Sequence, residues 1–183
     1  MHLGKLGRGL AAMTVIVTLT AACTPDPGLT PPPTPSAPAS PTETEQQRQE
    51  RVAYEAAEKS YRTFRKAMNR VLASGGANQP SPEMLKAAAG PYLAEYTSLI
   101  KSFKKGQFHQ EGSEKILSVV HNGYSPSAVI LDVCEDSRSI KTVRSDGSTF
   151  GKGELRTARL EVRKKDGTWK VWSGDGEKAT SCS

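Results

Sequence analysis

Residues 161–175, EVRKKDGTWKVWSGD, decide the fold class of this chain. Apolar and polar side chains alternate on both sides of the central KDG (165–167), and an Asp-Gly pair between two alternating runs predicts a tight β-hairpin. In its second strand Trp169 and Val171 share one face, whereas Trp172 takes the other face. The hairpin therefore predicts an antiparallel sheet in the C-terminal part of the chain.

The same alternation continues upstream of the hairpin. It predicts four further strands, at 116–121, 128–135, 139–144 and 155–164. Within the second of these, Val129, Leu131 and Val133 share one face. Asn122-Gly123 predicts a turn, and so does the SDGS of 145–148. The segment QFHQEG (107–112) is interpreted as a polar loop.

The part before the strands has helical periodicity. Apolar residues at steps of three and four predict a long helix over 45–72, with the stripe Ala57, Tyr61, Phe64, Met68 and Val71. Thr42 or Thr44 is its expected N-cap. A short helix is expected from Ser81, as N-cap, through Ala89. Gly90-Pro91 begins a third helix that reaches about Lys104.

Helices followed by antiparallel strands make an α+β fold, with three N-terminal helices packed on one face of a curved sheet. This order and the 161–175 hairpin resemble the NTF2-like (SnoaL-like) superfamily of cone-shaped domains, over about residues 45–173. The resemblance implies a globular domain at 45–183. It also implies that catalytic relatives place an acid/base pair inside the cone, that others are non-catalytic, and that dimers form through the open sheet, here near Trp172.

The N-terminus has the pattern of an export signal. Lys5 and Arg8 precede an apolar run at 10–19, and small residues precede Cys23. Residues 1–22 therefore resemble a bacterial lipoprotein signal peptide, which implies that Cys23 is acylated by diacylglycerol and palmitate and anchors the protein to membrane lipid. An ordinary secretory signal that happens to contain a cysteine is the alternative.

Residues 23–44 join the predicted anchor to the domain. The stretch after Cys23 holds eight of the twelve prolines and no aromatic residue, so it predicts a disordered, semi-rigid stalk, with or without glycosylation. The whole layout resembles small lipoproteins of actinobacteria and their phages. That implies a location on the extracytoplasmic face of the cell membrane, facing an envelope protein or a wall polymer as partner.

Two cysteines remain, Cys134 and Cys182. In an exported domain they predict a disulfide, because their spacing does not fit a CxxC redox or metal motif. On the chain-entropy model, closing this loop stabilises the fold by about 4 kcal/mol.

The chain is mildly basic, with a formal charge of +6. Its basic residues are spread out and lack the aromatic interleaving of a nucleic-acid surface, so no nucleic-acid partner is expected. It contains no phosphate-binding loop, nucleophile elbow or metal-ligand spacing, and no cofactor or metal is expected. His109 and His121 are interpreted as surface or loop residues.

Asp132 is the one weak catalytic candidate, since it interrupts the apolar run VILDVC. Inside a concave sheet its pKa would be raised and it could act as a base; on the solvent face it would be an ordinary carboxylate. Tyr61, Tyr96 and Trp172 are candidate pocket residues beside it, although core packing explains aromatic residues as well.

Two functions follow: a non-catalytic binding or interaction domain, which we prefer, or an isomerase- or dehydratase-like enzyme.

Overall fold

A computed structural model describes residues 43–182, which form three helices followed by seven strands. The predicted signal peptide, Cys23 and most of the predicted stalk lie outside the described residues. The helices are α1 (Glu45–Ala73), α2 (Pro82–Ala87) and α3 (Gly90–Gly106). The strands are β1 (Phe108–Glu111), β2 (Lys115–Tyr124), β3 (Ala128–Asp136), β4 (Lys141–Arg144), β5 (Thr149–Lys152), β6 (Leu155–Lys165) and β7 (Thr168–Lys178). The predicted α+β class is confirmed.

The helix ends follow the capping chemistry of the sequence. Thr44, one of the two predicted caps, begins α1 with a capping box. Its hydroxyl accepts from the Gln47 N–H at 3.2 Å, and the Gln47 side chain accepts from the Thr44 N–H at 2.9 Å. At the start of α2 the Ser81 hydroxyl accepts from the Met84 N–H at 3.3 Å, with Pro82 in the first turn. The chain leaves α3 at Gln107, which has a left-handed φ of 53°.

The strands form two antiparallel sheets. β2, β3, β6 and β7 lie side by side in that order, and β1, β4 and β5 form a smaller sheet. Register shifts interrupt the β2–β3 and β6–β7 pairings, and such bulges bend and twist a sheet. The predicted hairpin is present, with Asp166 and Gly167 both at positive φ in the turn.

The core lies between α1 and the inner face of the four-stranded sheet. Tyr61 and Phe64 on α1 are fully buried, and they meet Leu131 of β3 and Val162 of β6, which are equally buried. The predicted inner face of β3 is confirmed, since Val129, Leu131 and Val133 are all buried. Burial of this apolar stripe holds the long helix on the sheet.

Three local predictions were wrong. Asn122-Gly123 is not a turn, because β2 continues through it with a bulge between His121 and Gly123; the chain turns later, where the Ser125 N–H donates to the Ala128 carbonyl at 2.7 Å. The predicted loop 107–112 contains β1, whose pairing with β4 outweighs its polar composition. The predicted last strand does not end at Ser173, since β7 continues to Lys178 along β6.

Among residues 43–182, no helix combines the length and the apolarity needed to cross a membrane.

Candidate functional site: a buried polar cluster beside a cavity

A cavity of about 380 Å³ lies between α1, α3 and the two sheets. One part of its wall is apolar and includes Met68, Leu99 and Ile140. The other part is polar and includes Arg65, Glu114 and Glu135, which we call the polar cluster. The cavity therefore has an apolar region and a charged region, and a bound molecule would contact both.

Arg65 is the centre of the polar cluster. Its Nε donates to Glu114 Oε1 at 2.7 Å and lies 3.2 Å from Glu135 Oε1, while its Nη1 donates to the Tyr96 hydroxyl at 2.9 Å. The side chain is only 11% exposed. Burial by itself would lower the Arg65 pKa. The neighbouring Tyr96 and Glu135 outweigh burial and hold the pKa well above its ordinary value, so the guanidinium stays charged.

Glu135 is the buried carboxylate of the site, with 8% of its surface exposed. Strand alternation places it on the same inner face of β3 as Leu131 and Val133. The Tyr61 hydroxyl donates to Glu135 Oε1. Burial raises the pKa of Glu135, Arg65 opposes the rise, and the neighbouring Glu114 adds to it. Burial also raises the pKa of Tyr61, so its hydroxyl remains a donor.

Glu114 completes the polar cluster from the loop between β1 and β2. Its side chain is 4% exposed, pairs with Arg65, and accepts a hydrogen bond from the Ser137 hydroxyl at 3.0 Å. One arginine is thus shared by two buried carboxylates. Such an arrangement depends on every partner being in place, because removal of one leaves an uncompensated charge in a medium of low dielectric.

Three aromatic rings pack next to the polar cluster, and two of them, Tyr92 and Tyr96, line the cavity. Phe64, Tyr92 and Tyr96 contact one another with centroid distances of 4.7 to 5.2 Å. The Arg65 guanidinium lies 5.5 Å from the centre of the Tyr96 ring, within the range of a cation–π contact. Burial raises the pKa of Tyr92. These rings fix the position of Arg65 as well as the cavity wall.

The structure brings together only part of the predicted pocket. Tyr96 lines the cavity and contacts Arg65. Tyr61 contacts Glu135 of the polar cluster, but it is fully buried in the core and does not line the cavity.

Trp172 does not line the cavity: its ring packs over Gly90, and the Arg163 guanidinium lies 4.8 Å from it. Gly90 has a positive φ and no room for a side chain beneath that ring.

Asp132 lies on the outer face of the four-stranded sheet, away from the helices. Arg159 donates to both of its oxygens, at 2.8 and 3.0 Å, and Asn122 donates to it as well. These bonds, that from Arg159 above all, lower the Asp132 pKa. The carboxylate is a solvent-side ion pair, which is the second of the two interpretations that the sequence left open.

His109 and His121 both lie outside the cavity. His121 stacks on Tyr54 with a centroid distance of 4.2 Å, and its Nε2 is 3.5 Å from Glu58. His109 lies in β1, 3.6 Å from Glu111. No group of three or more potential metal ligands occurs within residues 43–182.

The sequence interpretation missed Arg65, Glu114 and Glu135. Two of them carried a signal, since Arg65 follows Tyr61 by four residues on the buried stripe of α1, and Glu135 continues the inner-face alternation of Leu131 and Val133. A charged residue at such a position requires a partner. Glu114 carried no comparable signal, because it belongs to a loop.

The Cys134–Cys182 pair lies at disulfide distance. The two Cα atoms are 5.9 Å apart and the bridge closes a span of 48 residues. Cys134 is buried in β3, whereas Cys182 follows β7. The bridge ties the C-terminal segment to the middle of the sheet.

No protein-family model matches the chain, and no curated protein matches it. Several solved structures are similar. The intermembrane-space region of the chloroplast protein ARC6 is 14% identical to this chain, with a TM-score of 0.48. The alignment covers 68% of this chain and 96% of the ARC6 region. A candidate dehydratase of the NTF2-like family from Streptomyces avermitilis is 13% identical, with coverages of 72% and 99% and a TM-score of 0.46.

A candidate aromatic ring hydroxylase from Novosphingobium aromaticivorans is 11% identical, with coverages of 71% and 91% and a TM-score of 0.47. An NTF2-like protein is therefore among the structures to which this chain is similar. All three TM-scores are below 0.5.

Proposed function

We propose that this protein is a lipid-anchored, extracytoplasmic binding protein whose domain uses the cavity beside Arg65 to hold a ligand without transforming it. One observation carries the choice of binding over catalysis. Arg65 is bonded to Glu114 and Tyr96 and paired with Glu135, so the charged groups of the site already satisfy one another. A pre-paired cluster suits the rigid recognition of a ligand.

The chemistry of the wall limits the ligand. It must have an apolar body that fits about 380 Å³ beside Met68 and Leu99. It also needs a polar group for the part of the wall that contains Glu95 and Arg156. Such a molecule is small and amphipathic.

The anchor is supported by the sequence of residues 1–23 and by the stalk composition of 23–44. The Cys134–Cys182 pair fits an oxidising compartment, where disulfides persist. The homodimer through the open sheet and the envelope partner remain predictions.

Native mass spectrometry of the non-reduced protein, extracted gently from its own host's membranes, tests the proposal. We expect a diacylglycerol-sized addition on Cys23, the loss of two hydrogens at the cysteine pair, and a retained small molecule. An unmodified Cys23 contradicts the anchor, and an empty protein contradicts ligand binding; the two parts therefore fail separately.

A catalytic role for the site is the second candidate, and one observation favours it. Glu135 is a buried carboxylate of raised pKa beside a cavity, which suits a general acid or base. Glu135 thus takes the place of Asp132 as the candidate general base. If the retained molecule is a substrate, Glu135→Gln should abolish its turnover and leave it bound. A binding site should show no turnover in either form.

A further inference from the structure

An aromatic and cationic cluster lies on the three-stranded sheet, and none of its members lines the cavity. The Phe108 and Phe150 rings stack with centroids 4.6 Å apart. The Arg144 guanidinium carbon lies 4.6 Å from the Phe150 centroid and 5.9 Å from that of Phe108. Phe150 is nevertheless 57% exposed. A large exposed ring beside a fixed cation is a recognition element more than a packing element.

The guanidinium of Arg144 is not held in an ion pair within the described part of the chain. Arg144 forms no ion pair within 4.0 Å among residues 43–182. Asp146 is in the same turn, beyond ion-pair distance of Arg144, and accepts the Ser148 N–H at 2.8 Å. The hydrogen bonds from Ser148, and to a smaller extent the charge of Arg144, lower the pKa of Asp146. The two rings hold the guanidinium in place, so less entropy is lost when it binds an anion.

Two lysines add to this charge. Lys104 and Lys105 form the basic last turn of α3. The next residues of the chain bring this turn to the cluster, since Gln107 contacts Ser145 at 3.5 Å. Neither lysine forms an ion pair with any residue of the described range. We name these five residues the distal patch: Lys104, Lys105, Phe108, Arg144 and Phe150.

The distal patch lies far from the point where the chain enters the domain. The chain enters at Thr44, before a helix of 29 residues, whose length is about 43 Å at 1.5 Å per residue. β1, which carries Phe108, packs near the other end of that helix, where Gln110 donates to Asn69 at 3.2 Å. A tether attached before Thr44 therefore leaves the patch at the remote end of the domain.

We propose that the distal patch binds a phosphodiester polymer of the cell envelope. Guanidinium and ammonium groups are the side chains that bind phosphate oxygens most strongly. Several cations spread over one surface match the repeated charges of a polymer better than those of one small anion. The exposed face of Phe150 can pack on the carbon backbone between phosphates. A polymer, and not the membrane, is the occupant because the patch lies at the other end of the domain from Thr44, before which the predicted stalk joins it; this choice rests on the proposed function.

Binding of the full chain carrying Cys23→Ser to poly(glycerol phosphate) tests the proposal at 0.15 M salt. We expect Lys104→Gln/Lys105→Gln to weaken binding at least tenfold, and Phe150→Ala at least threefold without any change of charge. The matched control is Lys59→Gln/Lys66→Gln, which removes two exposed lysines of α1 and should change affinity less than twofold. Circular dichroism verifies that each variant is folded, and Arg144→Gln serves as a second charge variant.

Three results with poly(glycerol phosphate) would overturn the proposal: no binding by the parent chain, a loss of affinity in the α1 control equal to that of the patch variant, or unchanged affinity in Phe150→Ala. A fourth would be binding to polyglutamate, or to vesicles containing phosphatidylglycerol, that is as tight as binding to poly(glycerol phosphate) or tighter. The last of these would identify a carboxylate polymer or the membrane as the occupant. Since the tested chain cannot be acylated at residue 23, the outcome does not depend on whether the anchor exists.

Discussion

Tyr61 of α1 donates its hydroxyl hydrogen to the carboxylate of Glu135 of β3, and this bond joins the long helix to the central sheet inside the core. Both residues are buried, at 0% and 8% exposure. The bond therefore combines two roles, since it fixes the helix on the sheet and satisfies a carboxylate that has little access to water.

Replacement of Tyr61 by Phe should destabilise the domain. The ring keeps its packing, but among residues 43–182 the Glu135 carboxylate keeps only its contacts with Arg65. A hydrogen bond to a charged group contributes about 1.5–3 kcal/mol, and this is the expected loss. Urea unfolding of the non-reduced protein measures the change. Tyr124→Phe is the matched control, because the Tyr124 hydroxyl has no side-chain hydrogen bond within residues 43–182. An equal loss in both variants would show that the Tyr61–Glu135 bond contributes nothing specific.

Arg65→Met should be more damaging than any surface charge change. It leaves Glu114 and Glu135 buried without their shared cation, and breaking a buried pair costs about 3–5 kcal/mol. The control is Arg62→Met on the same helix. Arg62 pairs with Glu58 at 2.8 Å on the surface, so its loss should cost at most about 1 kcal/mol. Denaturant midpoints that agree within error would contradict the assignment of Arg65 to the centre of the site.

The pH dependence of stability should change in Glu135→Gln. A carboxyl whose pKa is raised by folding binds its proton more tightly in the native state, so its contribution is fully present below the ordinary carboxyl pKa. That contribution is lost as pH rises through the raised value. Wild type should therefore lose stability over this window, whereas Glu135→Gln should show a flatter profile.

Unfolding at a series of pH values from mildly acidic to neutral measures the difference between the two profiles. Asp132→Asn is the control, and the sign is opposite there. The Asp132 pKa is lowered by Arg159, so its contribution is present above the ordinary carboxyl pKa and is lost on acidification. Parallel profiles for wild type and Glu135→Gln would show that Glu135 has no raised pKa.

The fold was more predictable than the site, for physical reasons visible in particular residues. The stripe with Tyr61 and Phe64 and the alternation of Val129, Leu131 and Val133 are local patterns, and burial of one face follows directly from them. Alternation also predicts that Asp132 lies on the opposite face of β3 from Leu131 and Val133. Which of the two faces the helices cover is decided by tertiary packing. Glu114 reaches Arg65 from a loop 49 residues away, which no local pattern encodes.

Reduction of the Cys134–Cys182 bridge should lower the free energy of unfolding by about 4 kcal/mol on the chain-entropy model, because a span of 48 residues regains its freedom in the unfolded chain. Guanidinium unfolding with and without dithiothreitol measures the loss. The double variant Cys134→Ala/Cys182→Ser should match the reduced wild type and be insensitive to dithiothreitol. If reduction leaves the wild-type midpoint unchanged, the bridge is not formed in the folded protein. The C-terminal segment after β7 would then be held to the sheet by its backbone bonds alone, such as that from the Ala179 N–H to the Leu155 carbonyl at 2.9 Å.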